Sequence, residues 1–97
     1  MGRMAEGTHT FLVLFKLTAR GVEQFSADPK GFAEKVKSKI EEGGVKVVEY
    51  CALLGDYDGA MKIEAENEKV LAKALVKAAA DGLFHTTTYT SINVDEL

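Results

Sequence analysis

Two groups of side chains in this 97-residue sequence have the types that ligand binding or proton exchange requires. Tyr57 and Asp58 stand in a glycine-flanked stretch, LLGDYDGAMKIEA, between two apolar runs. The second group supplies an ammonium, a carboxylate, an imidazole and a phenol: Lys62, Glu64, His85 and Tyr89. Beside apolar side chains, such groups would orient a small molecule in a pocket. The plainer interpretation is an imperfect protein interface with water between its charges.

More specific chemistry has little support in the sequence, so we predict no catalytic residue, no metal site and no cofactor. Asp56 and Asp58 lack the additional oxygen ligands of a calcium loop. No local motif supports haem binding by His9 or His85. The sequence has neither an HExxH zinc motif nor a phosphate-binding glycine loop.

Charge and composition restrict the partners. The formal net charge is −3 and the sequence pI is about 5.3, whereas nucleic-acid binding needs a basic surface. Lysines between positions 30 and 39 are interleaved with Glu34, which is typical of a solvated helix face. No apolar run reaches the length of a membrane span. With a single cysteine, Cys51, we expect a cytoplasmic protein and no disulfide within the chain.

The hydrophobic pattern predicts one small α+β domain over residues 8–97, after a flexible leader or expression remnant at 1–7. Strands alternate with amphipathic helices in the order β-α-β-β-α-β. The predicted elements are a strand at 8–17, a helix at 26–44, strands at 45–53 and 60–65, a helix at 67–82 and a strand at 83–92. This order predicts a ferredoxin-like sandwich, a four-stranded antiparallel sheet with two helices on one face. A different α+β sandwich is the alternative.

The two predicted helices have clear start signals. Asp28 can cap the first helix, and Pro29 suits its first position. Phe32, Val36 and Ile40 then recur at a spacing of four residues and form one apolar stripe. Asn67 can cap the second helix in the same way. We therefore expect both helices to bury one face against the sheet.

The first strand carries apolar side chains on both of its faces. Residues 11–15 are five successive apolar residues, and ferredoxin-like topology places this strand in the centre of the sheet. Two helices cover only one face of the sheet, so either Phe11, Val13 and Phe15 or Leu12 and Leu14 point away from them. An uncovered apolar patch favours association. We therefore predict a homodimer in which two sheets stack face to face.

Strand alternation also assigns the polar candidates to one face. If Met61 and Ile63 face the helices, Lys62 and Glu64 face the uncovered side. On the last strand, Phe84 and Ile92 lie on the same face, and their apolar character suits the core. The opposite, uncovered face then carries a polar set: His85, Thr87, Tyr89 and Ser91. The two faces of the second strand are too alike to assign, and Tyr50 could join this polar set. The prediction is an apolar centre ringed by polar groups.

The stretch LGDYD resembles the Gly-x-Tyr-Asp signature of the GYD domain family. The resemblance extends to LTARG (Thr18 and Gly21), SADPKG and GGVKVVEYCALLGDYD, and it covers about residues 8 to 97. The resemblance implies a dimeric, ferredoxin-like α/β barrel. It does not imply any particular reaction or ligand. The chain departs from similar proteins in having no tryptophan and in carrying Gly59 and Lys62 on its third strand.

These observations predict a non-enzymatic dimeric module that binds a small ligand or a protein partner and has a regulatory or assembly role. Tyr57 and Asp58 are expected to lock the turn, through ring packing and carboxylate bonds to turn amides, and then to line a pocket mouth. The alternative is a small isomerase- or monooxygenase-like enzyme without a cofactor. His85, Tyr89 or Tyr57 would then polarise the substrate or exchange a proton.

Overall fold

The structure is a computed structural model and describes residues 9–97. The prediction of a leader at residues 1–7 lies outside this range. The elements, in chain order, are β1 (His9–Leu17), α1 (Ala19–Ala27), α2 (Pro29–Glu41), β2 (Lys46–Ala52), β3 (Gly59–Ala65), α3 (Glu68–Ala79), β4 (Phe84–Ser91) and a short 3₁₀ helix (Val94–Glu96).

The four strands form one antiparallel sheet in the order β2-β3-β1-β4. This order has β1 and β3 in the centre and is compatible with the ferredoxin-like arrangement predicted from the sequence. Val13 on β1 lies opposite Met61 on β3 and Thr88 on β4. The predicted α+β fold class and the central position of the first strand are confirmed.

The predicted start of the helix at Pro29 is confirmed by its cap. The carboxylate of Asp28 accepts a hydrogen bond of 3.1 Å from the backbone N of Gly31, and Pro29 begins α2. In α3, Oδ1 of Asn67 accepts from the backbone N of Val70 at 2.9 Å. Each side chain satisfies a backbone donor that the first helical turn leaves without a partner.

The core lies between the sheet and the helices. Val13, Ile40, Met61 and Ile63 are its largest fully buried side chains. Burial of such a side chain stabilises the fold by roughly 1.5–3 kcal/mol. Phe11, Val13 and Phe15 are buried in this core, so they face the helices. Leu12 and Leu14 lie on the opposite face of the strand.

A third helix, α1, is a correction to the predicted two. Thr18 caps it, because its Oγ1 accepts a hydrogen bond from the backbone N of Gly21 at 3.1 Å and donates one to the carbonyl oxygen of Gly82 at 2.7 Å. The backbone N of Thr18 also donates to the carbonyl oxygen of Leu83 at 3.0 Å. The start of α1 thus combines a local cap with contacts of the capping residue to a distant segment.

The prediction that Ile92 belongs to the core is wrong. β4 ends at Ser91, and Ile92 is 59% exposed. Side chains alternate between the two faces only within a strand. Ile92 lies beyond the last residue of β4, so the alternation does not assign it to the core face.

Candidate functional site

The face of the sheet opposite the helices, here called the helix-free face, carries predicted polar side chains, and two of them flank Leu12. In the register of β1, Leu12 lies opposite Lys62 on one side and Tyr89 on the other. Leu14 lies opposite Thr87, and paired residues share a face. The remaining members follow by alternation: Glu64 on β3 and His85 on β4. Whether this group binds a ligand stays a prediction.

The centre of the helix-free face is apolar and partly open. Leu12 is 39% exposed and Tyr89 is 51% exposed, while Leu14 is half-buried. The exposed imidazole of His85 lies toward one end of β4, opposite Lys16 of β1. An isolated molecule thus presents Leu12 of the central strand β1, and Tyr89 beside it on the outer strand β4, to water.

One ion pair on this face was missed by the sequence interpretation. Nζ of Lys62 lies 3.9 Å from Oε1 of Glu49, and both side chains are well exposed. A bulge between Val47 and Glu49 shifts the register of β2, so that Glu49 comes opposite Lys62. An exposed pair of this kind contributes little stability, and the bulge that positions it has no signal in the sequence.

Tyr50, which the sequence left open, belongs to the other face. It pairs with Met61 in the sheet, and its ring packs edge-on against Phe15 with the centroids 5.6 Å apart. Burial raises the pKa of the Tyr50 phenol to about 12. This side chain therefore packs against the core and does not join the polar ring of the helix-free face.

The GDYDG hairpin contacts the end of β1 through Asp58. The carboxylate Oδ2 of Asp58 accepts a hydrogen bond from the backbone N of Leu17 at 2.7 Å. The backbone N of Asp58 donates to the carbonyl oxygen of Phe15 at 2.9 Å, and its own carbonyl oxygen accepts from the backbone N of Leu53 at 3.0 Å. The Asp58 carboxylate thus binds an amide at the end of β1, whereas a turn amide had been expected.

Tyr57 reaches from the hairpin toward the outer strand β4. Its hydroxyl lies 3.5 Å from Oγ1 of Thr87, which is long for a hydrogen bond between hydroxyls. Tyr57 is half-buried and lies at the border of the helix-free face. The contact between the two hydroxyls is therefore weak.

The LTARG and LGDYD segments meet at the end of β1. Leu17 donates its backbone N–H to the carboxylate of Asp58, and the next residue, Thr18, caps α1. Gly21 of the same cap is buried, and a Cβ added there would lie 2.0 Å from the carbonyl oxygen of Leu83. The roles visible for Thr18, Gly21 and Asp58 are therefore structural.

Over residues 9–97, no group of three or more His, Cys, Asp or Glu side chains is arranged to hold a metal ion. In the same part of the chain, none of the helices combines the length and apolar character that crossing a membrane requires.

The architecture defines a small α+β domain with a four-stranded antiparallel sheet and helices on one face. The sequence model of the GYD domain matches residues 11–97, and the chain belongs to this family. The signature residues Gly55, Tyr57 and Asp58 form the hairpin described above.

A relative from Thermus thermophilus is 35% identical over 88 residues. The match covers 91% of this chain and 93% of the relative. That protein is named "Glutamine synthetase and cystathionine beta-lyase binding protein".

Proposed function

We propose that this protein is a non-enzymatic binding module that docks on metabolic enzymes and has a regulatory or assembly role. The observation that carries the proposal is the likeness, over nearly the whole of both chains, to a relative named for binding two enzymes. The first candidate partners are the glutamine synthetase and the cystathionine β-lyase of the organism that makes this protein. Binding to such enzymes would place it in the cytoplasm.

We propose further that the working form is a homodimer that completes a dimeric α/β barrel. The support is the helix-free face, where Leu12 on the central strand β1 and Tyr89 beside it on the outer strand β4 are partly exposed. A second copy stacked on this face would remove both side chains from water, and a twofold axis would place the same patch on each partner. The polar ring would then pair across the interface or enclose water or a small ligand.

Dimerisation through the helix-free face would leave other apolar side chains available for an enzyme partner. Leu54 at the hairpin tip is fully exposed, and Val76 projects from α3. A partner that covered these side chains would remove their apolar surface from water, which favours association. A dimer would present each of them twice, which suits partners that are themselves symmetric oligomers.

The direct experiment immobilises the protein and measures binding of each purified enzyme by biolayer interferometry. We expect saturable binding of at least one of the two enzymes, and we expect the same protein added in solution to compete for that binding. A matched control is lysozyme or another small protein immobilised at equal density. Absence of binding by both enzymes at about 100 μM, a concentration above the range of most specific complexes, would contradict the proposal.

Separate serine substitutions at Leu54 and Val76 then locate the contact. We expect one of the two to weaken enzyme binding about tenfold or more, as truncation of an interface anchor typically does. Since both side chains are exposed, neither change should alter the thermal midpoint of unfolding. Equal enzyme binding by both variants and the parent would place the contact elsewhere on the surface.

A further inference from the structure

A cavity lies on the helix side of the sheet, away from the helix-free face. Its volume is about 420 Å³, and it opens between α1, α2 and the hairpin that joins β2 to β3. The walls are mostly apolar, with Phe15 and Leu17 from β1, Val22 and Phe25 from α1, and Leu53 and Leu54 from the hairpin. This volume and lining are in the range of sites that bind small molecules.

Aromatic rings shape this cavity. Phe15 packs edge-on against Tyr50, with centroids 5.6 Å apart, and Phe25 packs in the same way against Phe32 at 5.8 Å. All four residues line the cavity. Edge-to-face pairs hold their rings in defined orientations, so the walls are formed before a ligand arrives.

Tyr50 supplies a polar group that has no protein partner among the described residues. Its hydroxyl makes no hydrogen bond to any part of the chain from residue 9 to 97, although the residue lines the cavity and is half-buried. A phenol in this setting is a donor for a ligand acceptor such as a carbonyl oxygen. A phenol is protonated at neutral pH, and burial raises the pKa of Tyr50 further, to about 12.

The charges of the lining define which ligands fit. Among residues 9–97, the lining includes no lysine, arginine or histidine, and its acidic side chain is Asp58. One oxygen of that carboxylate already accepts the amide of Leu17 at 2.7 Å. An anion would therefore meet a negative charge without a counter-ion, and any charged group would lose its hydration among apolar walls.

We propose that this cavity binds a neutral, mostly apolar molecule whose hydrogen-bond acceptor is held by the hydroxyl of Tyr50. The ligand class includes aromatic ketones, esters and similar carbonyl compounds. The site goes beyond the proposed enzyme-binding function, and it remains accessible when two copies stack through the opposite face of the sheet.

The probe for this site is prodan, a neutral naphthyl ketone whose fluorescence shifts to shorter wavelength in apolar surroundings. Titration of the full chain should give saturable binding of one probe per chain. Tyr50→Phe keeps the ring and removes the donor, and we expect it to weaken prodan binding about threefold to tenfold, as loss of one hydrogen bond does. The anionic naphthalene dye 1,8-ANS should bind at least about tenfold more weakly than prodan, because it would carry its charge into the apolar cavity.

A matched pair of substitutions separates the cavity from general surface stickiness. Ala33→Phe places a ring in the cavity wall and should abolish prodan binding, whereas Ala72→Phe adds the same ring to an exposed position of α3 and should leave binding unchanged. Thermal unfolding of each variant checks that it is folded. If Ala33→Phe does not fold, Tyr50→Phe and the dye comparison decide the question.

Three results would overturn the proposal. One is unchanged prodan binding by folded Ala33→Phe, and another is unchanged binding by Tyr50→Phe. The third is ANS binding as tight as that of prodan, which would indicate exposed apolar surface without a selective site. None of these results depends on whether the protein binds an enzyme, so failure here is distinguishable from failure of the proposed function.

Discussion

The carboxylate of Asp58 accepts a hydrogen bond of 2.7 Å from the backbone N of Leu17, a residue 41 positions earlier in the chain. This bond joins the hairpin before β3 to the end of β1, where the strand leaves the sheet and α1 begins. The aspartate of the Gly-x-Tyr-Asp signature thus has a visible structural role. Two predictions test how the signature residues hold the hairpin.

Asp58→Ala should lower the free energy of unfolding by about 1–3 kcal/mol, because it leaves the partly buried amide of Leu17 without an acceptor. Urea denaturation measures the change. The matched control is Asp56→Ala, at an exposed position two residues earlier in the same hairpin, which should change stability by less than about 0.5 kcal/mol. Equal losses in the two variants would show that the contact to Leu17 contributes nothing.

Tyr57→Phe should change stability by less than about 0.5 kcal/mol, since its hydroxyl lies 3.5 Å from Thr87 and gains little from that contact. Tyr57→Ala removes the half-buried ring as well, and it should cost about 1 kcal/mol or more. Thermal and urea unfolding of the two variants separate the ring from the hydroxyl. A large loss for Tyr57→Phe would show that the hydroxyl, and not the ring, holds the hairpin.

Gly21→Ala should destabilise the fold by about 1–3 kcal/mol, as overpacking of a buried site does. The added Cβ would lie 2.0 Å from the carbonyl oxygen of Leu83, a backbone atom that a rotamer change cannot move. Ser26→Ala in the same helix is the control, because Ser26 is exposed. Wild-type stability of Gly21→Ala in urea would mean that α1 can shift away from Leu83 without cost.

The ion pair between Lys39 and Asp81 gives a pH-dependent prediction. Nζ of Lys39 lies 2.6 Å from Oδ2 of Asp81. The hydrogen bond from Lys39 lowers the pKa of Asp81; partial desolvation opposes this, and the charges of Lys39, Lys35 and Arg20 lower it further. A carboxyl with a lowered folded pKa stabilises the fold above its unfolded pKa of about 3.9 and loses this contribution as the pH falls through its folded value.

Asp81→Asn should therefore lower the thermal midpoint at pH 7, and the difference from the parent should shrink below about pH 4. The effect is small, since both side chains are partly exposed. Lys39→Met provides the control background, in which Asp81→Asn should lose most of its effect at pH 7. A difference between Asp81→Asn and the parent that is constant from about pH 7 to pH 3 would refute the assignment.

Local signals predicted much of the fold. Asp28 and Pro29 mark the start of α2 because their effect acts within one helical turn. The alternation of Met61, Lys62, Ile63 and Glu64 correctly gave the two faces of β3, since each face has its own polarity.

Features that depend on distant contacts could not be predicted in this way. Besides its local cap on Gly21, Thr18 contacts Gly82 and Leu83, which lie 64 or more positions away in the chain and leave no local signal. The bulge that brings Glu49 opposite Lys62 also has no local signal. The helix-side cavity depends on α1, so sequence reasoning that missed this helix also missed its Val22 and Phe25 wall.

The polar ring of the helix-free face was predicted from the alternation of strand residues alone; the register places Lys62 and Tyr89 beside Leu12, with Glu64 and His85 further along their strands. Ligand binding stays a prediction for the whole set of candidates: Tyr57, Asp58, Lys62, Glu64, His85 and Tyr89. The hydrogen bonds of the hairpin explain how Asp58 supports the fold, and a binding role would be additional to that.

Coverage of the helix-free face by a second copy is the central claim, and the molar mass in solution tests it most directly. Sedimentation equilibrium of the wild-type protein should give twice the 10.5 kDa mass of one chain. Leu12→Asp, in the middle of the face, should give a folded monomer or markedly weaker association, while Val76→Asp on α3 should stay dimeric. A wild-type mass of one chain, or a Leu12→Asp dimer as tight as the parent, would contradict the claim.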